Sequence, residues 1–81
     1  MTKFELILKI EAFIKANYDM WSIGTTNRPM ERESELKHPI NWHVWEAESE
    51  DVAMDIEELF IRKGCKGVYG DVGRSVFIFS T

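Results

Sequence analysis

The chain has 81 residues, of which 44% are hydrophobic and 30% are charged, and its formal net charge is −4 at pH 7. These values are typical of one folded domain, residues 1–81, and exclude a disordered chain. An acidic protein lacks the lysine and arginine excess behind avid, nonspecific nucleic-acid binding, although weak binding through a local basic patch stays open. Charged residues interrupt each apolar run, so we expect a cytoplasmic protein with no membrane span and no leader peptide.

Cysteine and histidine usage predicts no disulfide and no zinc centre. Cys65 is the single cysteine of the sequence, so it has no partner within the chain. The two histidines, His38 and His43, lack the i, i+4 spacing that zinc ligands have on one helix face. We therefore expect Cys65 to be a buried packing residue.

The chain opens with a helical pattern over residues 2–17. Thr2 is a plausible N-cap, and Glu5 stands three residues later to complete a capping box. Apolar residues at helical spacing form one stripe: Leu6, Ile7, Ile10, Phe13 and Ile14. A strand is predicted over 19–24, ending at Gly24, and a turn with Asn27 then leads to Pro29. Pro29 suits the first position of a short charged helix over 29–37.

The second half of the chain predicts a strand, a helix and a strand. Aromatic residues alternate to both faces of the strand at 41–47, so both of its faces are predicted to be covered, or one face binds a partner. The helix at 49–64 has Ser49 as N-cap and Gly64 as its stop. Its apolar stripe consists of Val52, Ala53, Ile56, Leu59 and Phe60. Segment 65–75 is glycine-rich and is expected to be a hairpin-like loop leading to a central apolar strand at 76–80.

This order of elements predicts an α+β two-layer sandwich with a small three-stranded antiparallel sheet and helices on one face. Such a sheet has an open edge, which allows the protein to pair into a dimer.

Aromatic and acidic residues, together with Asn27 of the turn, supply the candidate binding positions. Tryptophans are mostly core residues, but an exposed Trp21, Trp45 or Tyr69 would be a contact for a partner protein or for a base. The acidic segment 46–58 is either a solvated helix face or a surface that docks a basic partner.

Two segments together resemble the GIY-YIG nuclease superfamily. Residues 22–38, SIGTTNRPMERESELKH, resemble a strand ending in Y-I-G, a Thr-Asn turn that here holds Asn27, and a helix with an arginine. Residues 53–61, AMDIEELFI, resemble the family's A-x-x-x-E-x-x-x-I helix. The resemblance implies that Arg32 steadies phosphate charge and that Glu57 binds Mg²⁺ or Mn²⁺. The chain is also similar throughout to small uncharacterised bacterial and phage proteins with an IG-T-N-P-R turn.

Departures from the family pattern decide between two hypotheses. Ser22 stands where the family has its tyrosine, and a helix occupies the place of the G-I-Y strand. A hydrolase without those tyrosines lacks its proton-handling groups. We therefore expect a small interaction or regulatory protein on a degenerate GIY-YIG-like scaffold, without catalysis and without a cofactor. The alternative is a reduced divalent-metal nuclease that cleaves DNA or RNA phosphodiesters with Arg32 and Glu57.

Overall fold

A four-stranded mixed sheet and three α-helices form the fold in the computed structural model, which describes residues 1–80. The helices are α1 (Lys3–Ile14), α2 (Pro29–Glu35) and α3 (Glu50–Lys63), with one 3₁₀ turn at Tyr18–Met20. The strands are β1 (Trp21–Thr26), β2 (His43–Glu46), β3 (Lys66–Val68) and β4 (Ser75–Ser80). The lateral order is β2-β4-β1-β3, which places β4 centrally as predicted. The predicted α+β class is confirmed.

The predicted three-stranded antiparallel sheet is wrong in two respects. Segment 65–75 is not only a loop, because Lys66–Val68 forms β3. Strand β3 pairs in parallel with β1, whereas β4 is antiparallel to both β1 and β2. A parallel pair needs a long crossover, and β2 and α3 lie between β1 and β3 in the chain. The hairpin-like approach is also wrong, since β1 separates β3 from β4. Three residues with a central glycine are too short to show strand periodicity.

Capping chemistry sets the ends of α1 and α3 as the sequence predicts. The Thr2 hydroxyl accepts from the Glu5 amide at 3.2 Å, and the Glu5 carboxylate accepts from the Thr2 amide at 3.0 Å. The Ser49 hydroxyl accepts from an amide in the first turn of α3. Gly64, with φ +124°, ends α3 in a conformation that other residues rarely adopt. Helix α1 stops at Ile14, before the predicted end, because Lys15 and the next residue turn left-handed.

The main core lies between α1, α3 and one face of the sheet. Both predicted helical stripes supply it, and the strands contribute three central side chains. At most 1% of the surface of each of these residues is exposed: Leu6, Ile10, Ile14, Ala53, Ile56, Phe60, Ile23, Val76 and Ile78. Cys65 is buried at the rim of this core, as expected. Among residues 1–80, no helix combines the length and apolar character needed to cross a bilayer.

A second, smaller aromatic cluster lies on the opposite sheet face. Phe77 is fully buried, and its ring stacks on Trp42 with centroids 4.7 Å apart. Phe79 stacks on both rings. Gly24 lies beneath the ring, where a Cβ atom would collide with Phe77 and would stand 2.9 Å from the carbonyl oxygen of Val68. Both faces of the β2 region therefore carry packed aromatic rings.

Substitution of Ile56 by alanine tests the register of α3. Ile56 is fully buried, so Ile56→Ala should lower the free energy of unfolding by about 2–5 kcal/mol in urea denaturation. The matched control is Met54→Ala on the same helix, where the side chain is 43% exposed and the loss should be much smaller. Equal losses for the two variants would contradict this packing.

Candidate functional site

A groove of about 790 Å³ lies between α3 and the loop at 69–72 that follows β3. We call it the α3–loop groove. Helix α3 lines it with Met54, Glu57, Glu58 and Ile61, and the loop lines it with Tyr69 and Val72. Clefts of this size commonly hold small ligands or side chains of a bound peptide. The groove brings together Glu57 and Tyr69, two of the predicted site residues.

Helix periodicity explains why α3 supplies one wall of the groove. Its groove residues stand at positions 54, 57, 58 and 61, the i, i+3, i+4, i+7 spacing of a single helix face. Its core residues Ala53, Ile56 and Phe60 occupy the neighbouring face. Glutamates at 57 and 58 are therefore held at the groove by the same packing that buries the other face.

Tyr69 forms part of the opposite wall. The end of its ring lies directly over Gly67, where a Cβ atom would stand 2.6 Å from the hydroxyl oxygen and 2.9 Å from Cδ1 of Ile61. The absence of a side chain at Gly67 thus leaves room for the end of the ring to pack against β3. The residue as a whole remains 73% exposed. Tyr69 is an exposed aromatic residue, as the interaction hypothesis requires.

Contacts with the end of β1 fix the loop in place. The Thr26 hydroxyl donates to Oδ2 of Asp71 at 2.6 Å, and Nη2 of Arg28 lies 3.1 Å from the same oxygen. These two contacts hold the pKa of Asp71 below its ordinary value, and the hydrogen bond from Thr26 has the larger effect. Beyond the groove, the Asn27 side chain accepts from the Arg74 amide at 3.1 Å. Asn27 therefore anchors the loop, and it does not line the groove.

Arg32 lies behind the loop. Its Nη2 donates to the carbonyl oxygen of Tyr69 at 2.9 Å, and its Nη1 lies 3.2 Å from Glu35. Its side chain is only 13% exposed. Arg32 does not line the groove, whereas Glu57 does. The two residues therefore lie on different sides of the loop. The guanidinium in the groove is instead that of Arg62, which the sequence did not single out.

Glu57 is the groove carboxylate with the least favourable surroundings. Burial, together with the charge of Glu58, raises its pKa above the ordinary value. Glu58 lies 3.7 Å from Arg62, and Asp71 is held by Arg28. Among residues 1–80, the Glu57 carboxylate has no hydrogen-bonding or ion-pair partner. A carboxylate kept half-buried without a partner is more common at binding sites than elsewhere.

The donor set around Glu57 does not fit a metal ion held by the protein alone. Within the described part of the chain, no three His, Cys, Asp or Glu side chains are grouped closely enough to hold one. A hard divalent cation takes six or more oxygen ligands. Any such ion would depend on Glu57 and on oxygens from outside the protein.

Trp21 and Trp45 belong to a different region of the surface. Both are half-buried and surround the His43 ring, which stacks on Phe13 with centroids 3.9 Å apart. This cluster extends the main core along α1 and β2. The two predicted binding tryptophans are therefore brought close to each other and kept apart from the groove.

Comparison of the chain with protein-family models, with curated proteins and with solved structures found no match in any of the three. The GIY-YIG relationship therefore stays a prediction from motifs.

Substitution of Glu57 by glutamine should stabilise the domain at pH 7. A raised pKa in the folded state means that the charged form destabilises folding above that pKa, and that this cost disappears as the pH falls through it. Thermal unfolding should therefore show a higher midpoint for Glu57→Gln at pH 7 and a converging midpoint near pH 4, close to the ordinary carboxyl pKa. Glu58→Gln, at a residue 62% exposed, is the control and should change little. A lower midpoint for Glu57→Gln at pH 7 would contradict the unpaired environment.

Removal of the Arg28 charge should loosen the loop while leaving the core intact. Arg28→Met deletes the pairs with Asp71, Glu31 and Glu35, the first of which ties α2 to the loop. Hydrogen exchange should speed up at residues 69–74 and stay unchanged in α1 and α3. Arg62→Met, which removes a 79% exposed arginine, serves as the control. Unchanged exchange in the loop would show that Thr26 alone anchors Asp71.

Proposed function

We propose that the protein is a cytoplasmic binding module without catalysis, and that it captures a segment of a partner protein in the α3–loop groove. The observation that carries the proposal is the joint presence of an unpartnered Glu57 and an exposed Tyr69 in one concave site. Met54, Ile61 and Val72 add apolar surface to the same groove. Apolar lining with a few polar groups is the usual composition of a binding cleft.

Charge favours a basic partner. The groove holds the carboxylates of Glu57, Glu58 and Asp71 against the guanidinium of Arg62. The whole chain also carries a net charge of −4. Complementary charge speeds the encounter of two proteins and disfavours acidic competitors. A basic segment is therefore the partner that this surface suits best.

The positions of Arg32 and Ser22 argue against catalysis. The Arg32 guanidinium is engaged by the Tyr69 carbonyl and by Glu35, so a phosphate would have to displace those contacts. Ser22, which stands in the place of the family's tyrosine, is 5% exposed within β1. A group buried in the sheet is poorly placed to reach an attacking water.

A reduced divalent-metal nuclease is the second candidate function. The observation in its favour is that Tyr69, a phenol, lines the same groove as Glu57, with Arg62 also present. A weakly bound nucleic acid would then supply the remaining oxygen ligands to Mg²⁺ or Mn²⁺.

A cleavage assay separates the two functions. Plasmid and single-stranded DNA and RNA are incubated with Mg²⁺ or Mn²⁺ and with one of three proteins: the unchanged protein, Glu57→Ala or Glu48→Ala. Glu48→Ala is the control, because Glu48 is exposed and lies outside the groove. We expect the same background cutting in all three samples. Metal-dependent cutting that Glu57→Ala abolishes and Glu48→Ala retains would overturn the proposal in favour of the nuclease.

Photo-crosslinking tests the binding function directly. A photoreactive amino acid in place of Val72, which is 56% exposed in the groove, should trap a discrete partner in cells. Because the proposal places the partner against Glu57, the added charge of Glu57→Lys should remove that product, while Glu48→Lys should not. A set of products that is indifferent to Glu57→Lys would reject the groove as the contact surface.

A further inference from the structure

We infer that Glu57 and the Tyr69 ring form a subsite for an arginine side chain of the captured segment. This inference rests on the binding function proposed above and specifies the chemistry of its ligand. It requires a flat wall, one available negative charge and a cleft that excludes much of the water.

Tyr69 provides the flat wall. The end of its ring rests over Gly67, so β3 supports it. The remaining surface of the residue, 73% of its possible area, is open. A guanidinium stacks on such a ring through its planar face, which an ammonium group cannot do. A supported aromatic ring also loses little conformational freedom on binding.

Glu57 provides the available charge. The other two groove carboxylates already have cations, since Arg62 lies near Glu58 and Arg28 holds Asp71. Among the residues that the structure describes, Glu57 has no such partner. One carboxylate suits one guanidinium, whose two parallel N–H groups match its two oxygens. Partial burial strengthens that pair relative to a pair in open water.

Other occupants fit the groove less well. A neutral apolar segment would cover Glu57 further and leave a buried charge unsatisfied. A divalent cation would meet too few protein oxygens, because no three metal-ligating side chains are grouped within the described residues. An acidic segment would bring further negative charge to Glu57, which has no ion-pair partner among the described residues. Arginine alone among these satisfies both Glu57 and the exposed ring.

Three N-acetylated tripeptide amides test the inference: Leu-Arg-Leu, Leu-Lys-Leu and Leu-citrulline-Leu. Citrulline keeps the planar shape of arginine and removes the charge, so it isolates the ion pair with Glu57. Amide chemical shifts of the whole protein are followed during titration. We expect saturable shifts confined to residues 54–62 and 67–72, with arginine binding about tenfold more tightly than citrulline because a charged hydrogen bond is lost. Lysine should fall between the two.

Substitutions assign the preference to the two groups. Glu57→Gln should reduce the affinity for the arginine peptide to that for the citrulline peptide, whereas Glu48→Gln should leave it unchanged. Tyr69→Leu should weaken the arginine and citrulline peptides alike and narrow the gap between arginine and lysine. Thermal unfolding of each variant checks that it is folded.

Two results would overturn the inference. Equal affinity for arginine and citrulline in the groove would show that no ion pair forms there, and the groove would keep its binding function. Absence of groove shifts with all three peptides at millimolar concentration would also reject the arginine subsite. Crosslinking from Val72 decides the binding function separately, so the two failures are distinguishable.

Discussion

The carboxylate of Asp71 joins two parts of the chain that are 45 residues apart, by accepting a 2.6 Å hydrogen bond from Thr26 at the end of β1. Arg28, at the start of α2, contacts the same oxygen. The segment that follows β3 is thereby held against the sheet, although it has no helix or strand of its own. Together with the contact between Arg32 and the Tyr69 carbonyl oxygen, this contact holds the second wall of the groove opposite α3. The short, partly shielded bond matters more here than the surface ion pairs, because exposed pairs contribute little to stability.

Local sequence signals were sufficient for the two long helices and insufficient for the sheet. The helical spacing of apolar residues correctly predicts which faces are buried. In α1 these residues are Leu6, Ile10 and Ile14, and in α3 they are Ala53, Ile56 and Phe60. Caps at Thr2 and Ser49 mark where the helices begin. Strand β3 has only three residues and forms by pairing with β1, which is distant in the chain. The sequence of β3 alone therefore does not predict a strand. Pairing of that kind is decided by the assembled sheet and not by local propensity.

The sequence likewise predicted some residues of the candidate site and missed others. Glu57 and Tyr69 were singled out from the sequence for separate reasons, one as a motif glutamate and one as an aromatic residue, and the structure places them in one groove. Arg32, chosen with Glu57, lies on the far side of the loop because Tyr69's carbonyl oxygen binds it there. Arg28 had no distinguishing pattern, since its contact with Asp71 spans 43 residues. The one available hint to the groove was the repetition of polar and apolar residues at 54, 57, 58 and 61 along α3.

The Ile-Gly pair in β1 has a purely mechanical explanation. Ile23 faces the helices and is fully buried, while Gly24 faces the other way and leaves room for the Phe77 ring. On one face this strand needs a bulky side chain to fill the core, and on the other face it needs room for an aromatic ring. A large residue followed by glycine meets both requirements. Packing alone therefore accounts for an isoleucine followed by a glycine at these two positions of β1. Descent from a nuclease would have to be read from positions that packing leaves free to vary.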